Sequence, residues 1–263
     1  MKKITTDVLL ASDKRKKVLL LLQDNPKEME ILLEALDTTR TALLPQMKIL
    51  KEANLISKDK KEDRYELTTV GKMIVEEMAS FLRTVETFGI NSEYLATHYI
   101  DFIPSHLLKK LPELGSFHVA DIPMSNFFEA DTDFFERAIT SNSWLEIASV
   151  LHPTFHEFYV KMTEYATEVS VILNKDAYEK AKQDYYKELR ELIDLDLISL
   201  YVYPENLGFG SFIMTGESFQ FRLLTKKGIL DSRKMIISGQ GSCEWGTEFF
   251  ENYKNLSTSV IDL

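Results

Sequence analysis

The sequence predicts an α+β / α/β protein in which a small helical N-terminal module with a hairpin precedes an α/β sandwich with a mixed sheet. Two observations carry this. Up to about residue 88 the apolar residues recur at spacings of three and four, as amphipathic helices require. From about residue 93, short β-branched and aromatic runs alternate with helical ones, the pattern of a sheet covered by helices. Charge separates the same two parts: residues 1–88 hold 16 Lys and Arg against 15 Asp and Glu, and the remainder holds 15 against 26. The net −10 therefore belongs almost wholly to the second part. The expected boundaries are a first domain over 1–67, a linking helix over 68–92 and a second domain over 93–263.

In the first module, Ser12 is the cap of a helix running to Leu22, which Asn25-Pro26 ends because proline cannot continue the backbone ladder. Lys27 to Leu36 places Met29, Leu32, Leu33 and Leu36 on one helical face. Asp37-Thr38-Thr39 then signals a turn and a cap for a third helix, Thr39 to Ala53. Its inward residues are Ala42, Leu43, Met47 and Leu50, and its outward ones Arg40, Thr41, Gln46, Lys48 and Lys51. Pro45 falls within it. Leu55-Ile56-Ser57 and Tyr65-Glu66-Leu67 read as short strands bracketing a charged loop, 58–64, and Thr68 opens a helix reaching Phe88. This order is a winged helix-turn-helix, and the run Leu50 to Ile56 with Tyr65 to Gly71 resembles the winged-helix regulators of bacteria and archaea. Asn54 stands where a left-handed helix end is needed, which asparagine tolerates.

A helix polar on one side fits the DNA major groove, where Arg pairs with guanine, Gln with adenine, and Thr offers a hydroxyl and a methyl. Thr39, Arg40, Thr41 and Gln46 are accordingly expected near base edges of double-stranded DNA. Lys48, Lys58, Lys60, Lys61 and Arg64 are expected on phosphates. The rival use of such a module is protein contact, recruiting transcription machinery with only weak DNA contact. Val70, Met73, Ile74, Met78, Phe81, Leu82 and Val85 give the Thr68–Phe88 helix more apolar surface than a small wing domain covers, so a homodimer is expected.

The second part reads as a strand at Phe117–Ala120, a helix at Asp131–Ser141, a strand at Trp144–Val150 and a helix at Pro153–Ala166. A strand at Val169–Leu173, one helix at Asp176–Ile193, strands at Leu197–Tyr203, Ser211–Thr215 and Phe219–Leu224, and a helix at Glu244–Leu256 follow. An open α/β sheet binds ligands where strands end, which points to Ser149, His152 and Asn174 for a small-molecule effector. Ile147 to Pro153, Leu223 to Asp231 and Glu244 to Tyr253 resemble the winged-helix regulators of methanogenic archaea whose middle domain is named after a filament-formation regulator. That resemblance spans nearly the whole chain and implies transcription control of methanogenesis or related metabolism.

The sheet-and-helix order is also similar to a phospholipase-D-like half domain. Such an enzyme needs a His with a Lys two residues on; none of His98, His106, His118, His152 or His156 has one, so no catalysis is expected. No cofactor or metal is expected either. His152 and His156 share a helical spacing, but Pro153 puts His152 at the cap and no third ligand stands nearby. Gly239-Gln240-Gly241 reads as a turn without the strand-turn-helix context of a nucleotide loop. Cys243, the one cysteine, excludes an intramolecular disulfide and is expected to be a buried small apolar group; Phe127-Phe128 and Phe134-Phe135 are expected in the core. With no run of about 18 apolar residues and no signal-like start, a cytoplasmic, membrane-free protein is expected.

Overall fold

In the computed structural model, which describes residues 6–59, 62–115, 117–122 and 132–263, packing divides the chain into two units, Met1–Arg83 and Thr84–Leu263. The first unit opens with a short helix, α1 (Thr6–Leu10), that the apolar pattern does not announce. Ser12 then caps α2 (Asp13–Asp24), accepting from the Arg15 amide at 3.4 Å. The expected helix over Lys27–Leu36 is shorter: Lys27–Glu28 is extended as β1, and α3 covers Met29–Ala35. The reason is a backbone partner remote in sequence, since Lys27 and Glu28 pair with Tyr65 and Arg64. Asp37, at φ 43°, turns the chain, and Thr39 caps α4 (Arg40–Glu52). Asn54 is left-handed, at φ 57°, as expected for that helix end.

β2 (Ile56–Lys58) and β3 (Arg64–Leu67) form the wing hairpin, and β1 completes an antiparallel sheet of order β1-β3-β2. α5 (Thr69–Gly89) follows, with the unit boundary inside it. Leu19, Leu32, Leu43, Met47, Leu50, Leu55 and Val75 are the centre of this unit's core, so the three helices and the wing share one apolar interior. The winged helix-turn-helix expected from the sequence is present.

The second unit holds α6 (Ser92–Thr97), α7 (Ser105–Lys110), β4 (His118–Ala120), α8 (Thr132–Ser141), β5 (Ser143–Ala148), α9 (Phe155–Glu164) and β6 (Glu168–Asn174). α10 (Lys175–Asp184), α11 (Tyr186–Asp194), β7 (Ser199–Tyr203), β8 (Phe209–Thr215), β9 (Ser218–Leu223), β10 (Lys234–Ser238), α12 (Ser242–Lys254) and β11 (Thr258–Ser259) complete it. Its mixed sheet runs β11-β7-β6-β5-β8-β9-β10-β4. β5, β6 and β7 are parallel, joined by α9 and by α10–α11, and the other pairs are antiparallel. Alternation along the strands feeds two cores. Phe212, Phe219, Phe221 and Leu223 meet Trp245 and Phe249 of α12, while Trp144, Val171 and Leu173 meet Phe155, Tyr159 and Leu192 on the other face. This is the expected α/β sandwich.

Four expectations need correction. The helix expected over Asp176–Ile193 is two helices, broken at Tyr185 (φ −136°, ψ 38°), which lets Tyr185 reach the Phe155 ring at 5.5 Å. The strand expected over Trp144–Val150 ends at Ala148, and the following helix starts at Phe155 rather than Pro153. Gly239-Gln240-Gly241 is a turn, but it does connect a strand, the unanticipated β10, to a helix. Cys243 is exposed, because Ser242, Trp245 and Phe249 take the inward face of α12. Phe134 is in the core as expected, Phe135 packs against it, and Phe127-Phe128 lie outside the described residues.

Candidate nucleic-acid interface and effector site

α4 owes its position to Leu43, Met47 and Leu50, which are buried, so the opposite face is fixed by packing. That face exposes Arg40, Thr41, Leu44, Pro45, Lys48 and Lys51. Pro45 has no amide hydrogen to give the Thr41 carbonyl, but both residues lie on the exposed side, and the helix continues through the proline. Thr39 is the N-cap: its hydroxyl accepts from the Ala42 amide at 3.4 Å.

Gln46 requires a correction. It is half-buried, not outward, and its Oε1 accepts from Arg15 Nη1 at 3.0 Å. Arg15 also donates to the Val8 and Asp7 carbonyls at 2.8 and 2.9 Å, so Gln46 and Arg15 tie α4 to α2 and α1. No signal in the sequence announces this pairing across 31 positions.

Four of the cations on and around α4 carry carboxylate partners. Arg40 pairs with Glu30, Lys48 with Glu52 at 3.9 Å, and Arg64 with Glu62 and Glu28 at 3.2 and 3.6 Å. Lys58 pairs with Asp63 on the wing, and a hydrogen bond to that carboxylate holds the Lys58 ammonium above its usual range. Exposed pairs of this kind are weak and readily exchanged for another anion. Lys60 and Lys61 lie outside the described residues.

In the second unit the three expected effector residues divide. Ser149 donates to the Phe209 carbonyl at 2.8 Å, and Asn174 accepts from the Ala177 amide at 3.1 Å as the cap of α10. Both side chains therefore hold the fold. His152 instead lines a cavity of about 340 Å³ on the face of β5, β8, β9 and β10 that carries α9. Its Nδ1 accepts from the Thr154 amide at 3.3 Å, whereas His156 contacts Glu191 at 3.1 Å, so the two histidines have separate neighbours.

The floor of the cavity contains Glu146, Gln220, Arg222 and Lys234. The Glu146 carboxyl accepts from Trp144 Nε1 at 2.9 Å and from the Tyr159 hydroxyl at 2.8 Å. Burial pushes this carboxyl above the ordinary carboxylate range despite those bonds and the nearby Arg222. Gln220, Arg222 and Lys234 were not singled out from the sequence. Polar residues alternating with Phe219, Phe221 and Leu223 read as a solvent face, and only the packing of α9 makes that face interior.

Comparison with known proteins adds a family context. Residues 127–256 match the model of the middle domain of the methanogenesis regulatory protein FilR1, and residues 4–88 that of the HVO_A0261 N-terminal domain. No curated protein matches the chain. Among solved structures, TrmBL2, described as an archaeal chromatin protein with a novel mode of DNA binding, is 10% identical. The match covers 95% of this chain and 94% of TrmBL2, with a TM-score of 0.43. Nuc, a phospholipase D family member from Salmonella typhimurium, is 12% identical over 56% of this chain and 99% of its own, with a TM-score of 0.41. The chain thus resembles the FilR1 middle domain over residues 127–256, within its second unit, and the HVO_A0261 N-terminal domain over residues 4–88.

Proposed function

We propose that the chain is a sequence-specific DNA-binding transcriptional regulator, homodimeric and ligand-responsive, of the kind that controls methanogenesis genes in archaea. The observation that carries this reading is α4: an exposed face of Arg40, Thr41, Lys48 and Lys51 on a helix held by a fully buried opposite face. A rigid helix of that kind enters a major groove as a unit, with the wing beside it for phosphates. The regulatory description of the matched middle domain supports the same reading. Thr39 acts through the cap it forms, and Gln46 through its hold on Arg15.

Fluorescence anisotropy on the protein's own promoter DNA tests this. Arg40→Ala is expected to weaken specific binding by about tenfold while leaving non-specific binding nearly unchanged. Lys48→Ala is expected to weaken both and to lower the salt slope by about one. Equal affinity in wild type and Arg40→Ala, or affinity insensitive to salt, overturns the reading in favour of a protein-contact module.

Dimerisation is assigned to α5. Val70, Met73 and Phe81 lie within roughly a third of its circumference, and Met73 and Phe81 are 66% and 54% exposed. A second copy of the helix covers that stripe and supplies a second reading head for a two-half-site operator. Met73→Glu is expected to yield a monomer by light scattering; a wild type that is already monomeric removes the assignment.

A further inference from the structure

We propose that the cavity floored by β5, β8, β9 and β10 binds a small uncharged aromatic molecule that carries a hydroxyl or ring N–H donor. This names the effector's chemical class, and as a regulatory statement it rests on the ligand-responsive reading above.

Gln220 is 3% exposed and lines the cavity, and its Oε1 has no hydrogen-bond partner among the described residues. Strand register accounts for this. Phe219 and Phe221 turn to the core under α12, which leaves Gln220 on the cavity face of β9. Its partners across the two neighbouring strands are Ile213 of β8 and Ile236 of β10, whose side chains have no donor. Two residues back along β9, the Ser218 hydroxyl is engaged by Arg137 and Ser238 at 2.6 and 2.5 Å. A buried acceptor set between two isoleucines is costly, and a leucine fills the same space without that cost. An acceptor kept in such a place calls for a donor that arrives with a ligand.

The rest of the cavity sets the body of that ligand. Its wall is Trp144, Phe155, Phe158, Ile213 and Leu230. Trp144 and Phe158 already meet edge to face at 5.1 Å, and a further ring packs against such a pair in the same way. A volume of about 340 Å³ is at the small end for ligand cavities and suits one ring or two fused rings. Val150 belongs to the same lining and is 68% exposed, so the cavity opens to solvent there. The charged side chains do not call for a ligand charge. Glu146 accepts from Trp144 and Tyr159, and Arg222 and Lys234 are engaged by other groups of the protein. A charge carried in among these rings without a free counter-charge is costly.

Three probes of similar size isolate these elements: p-cresol, 4-fluorotoluene without the donor, and 4-hydroxybenzoate with an added charge. Binding to the full chain is read by titration calorimetry and by ligand line broadening in NMR. p-Cresol is expected to bind with Kd on the order of 0.1–1 mM, and the other two each about tenfold more weakly. Gln220→Leu is expected to fold and to bind p-cresol and 4-fluorotoluene alike. Ile213→Phe, which fills the cavity, is expected to weaken p-cresol at least about tenfold. Both variants are checked for folding by circular dichroism.

The proposal is overturned if 4-fluorotoluene or 4-hydroxybenzoate binds wild type as tightly as p-cresol, or if p-cresol does not saturate below about 10 mM. It is also overturned if folded Gln220→Leu keeps the preference for p-cresol, or if folded Ile213→Phe binds p-cresol unchanged. Promoter affinity measured with and without p-cresol separates this from the regulatory reading. Binding without any change in DNA affinity leaves the cavity assignment standing and removes the effector role.

Discussion

Asp231 accepts from three directions in one small cluster. Arg233 Nη2 and Nε donate to its Oδ2 at 2.6 and 3.0 Å, the Arg233 amide donates to Oδ1 at 3.0 Å, and His98 Nε2 lies 2.8 Å from Oδ2. His98 in turn has Nδ1 2.6 Å from the Tyr94 carbonyl, and the Arg233 guanidinium stacks 4.7 Å over the Tyr94 ring. Burial on its own raises a carboxyl, but the Arg233 and His98 contacts outweigh it and hold Asp231 at about 2. A carboxylate lowered in the folded state contributes stability that is complete above its ordinary value near 3.8 and is lost as pH falls towards 2. Asp231→Asn is therefore expected to destabilise the protein by about 2 kcal/mol at pH 7 and to flatten the acid limb of a denaturation profile between about pH 4 and 2. An unchanged acid limb removes this assignment. Glu146, raised by burial, has the opposite sign: the folded state holds its proton more tightly, so its contribution to stability falls as pH rises. The profile is best compared in a Glu146→Gln background.

At the scale of elements, the start of α5 depends on a close approach. The Thr68 hydroxyl donates to the Asn54 carbonyl at 2.8 Å and accepts from the Gly71 amide at 2.9 Å, binding helix, wing and α4 end together. A β-carbon at Gly71 collides with the Leu55 carbonyl oxygen, a backbone atom that cannot swing aside. Gly71→Ala is accordingly expected to cost about 1–3 kcal/mol in chemical denaturation of the first unit; a neutral effect means that α5 is free to shift. Elements such as α2, α4, β2 and β3 were legible because their caps, apolar spacing and turn residues are local. β1 was not, since Lys27 and Glu28 become a strand only through Arg64 and Tyr65. β10 was missed for a related reason: Lys234-Met235-Ile236-Ile237-Ser238 is brief and starts with a charge that local sequence does not mark as buried. The reading face of α4 was legible except at Gln46, whose partner Arg15 is remote in sequence. In the cavity only His152 was anticipated, because alternation tells which side chains share a face but not what covers it.

At the scale of the molecule, the two cores of the second unit take in, among the described residues, nearly every buried apolar side chain from Tyr94 onward. A fragment of residues 84–263 is therefore expected to fold, with a near-ultraviolet circular dichroism signal from the stacked Trp245, Phe219 and Phe249 rings and a cooperative melt. A fragment with helical signal but no aromatic signal refutes that independence. The sheet of this unit has another consequence at its borders. β11 has two residues and β4 three, so each border offers few backbone groups to an incoming strand. Lateral growth of one sheet onto another, the usual route from an open sheet to fibrils, has little purchase here. Concentrated solutions of the folded protein are expected to resist strand-by-strand aggregation despite an interior rich in phenylalanine.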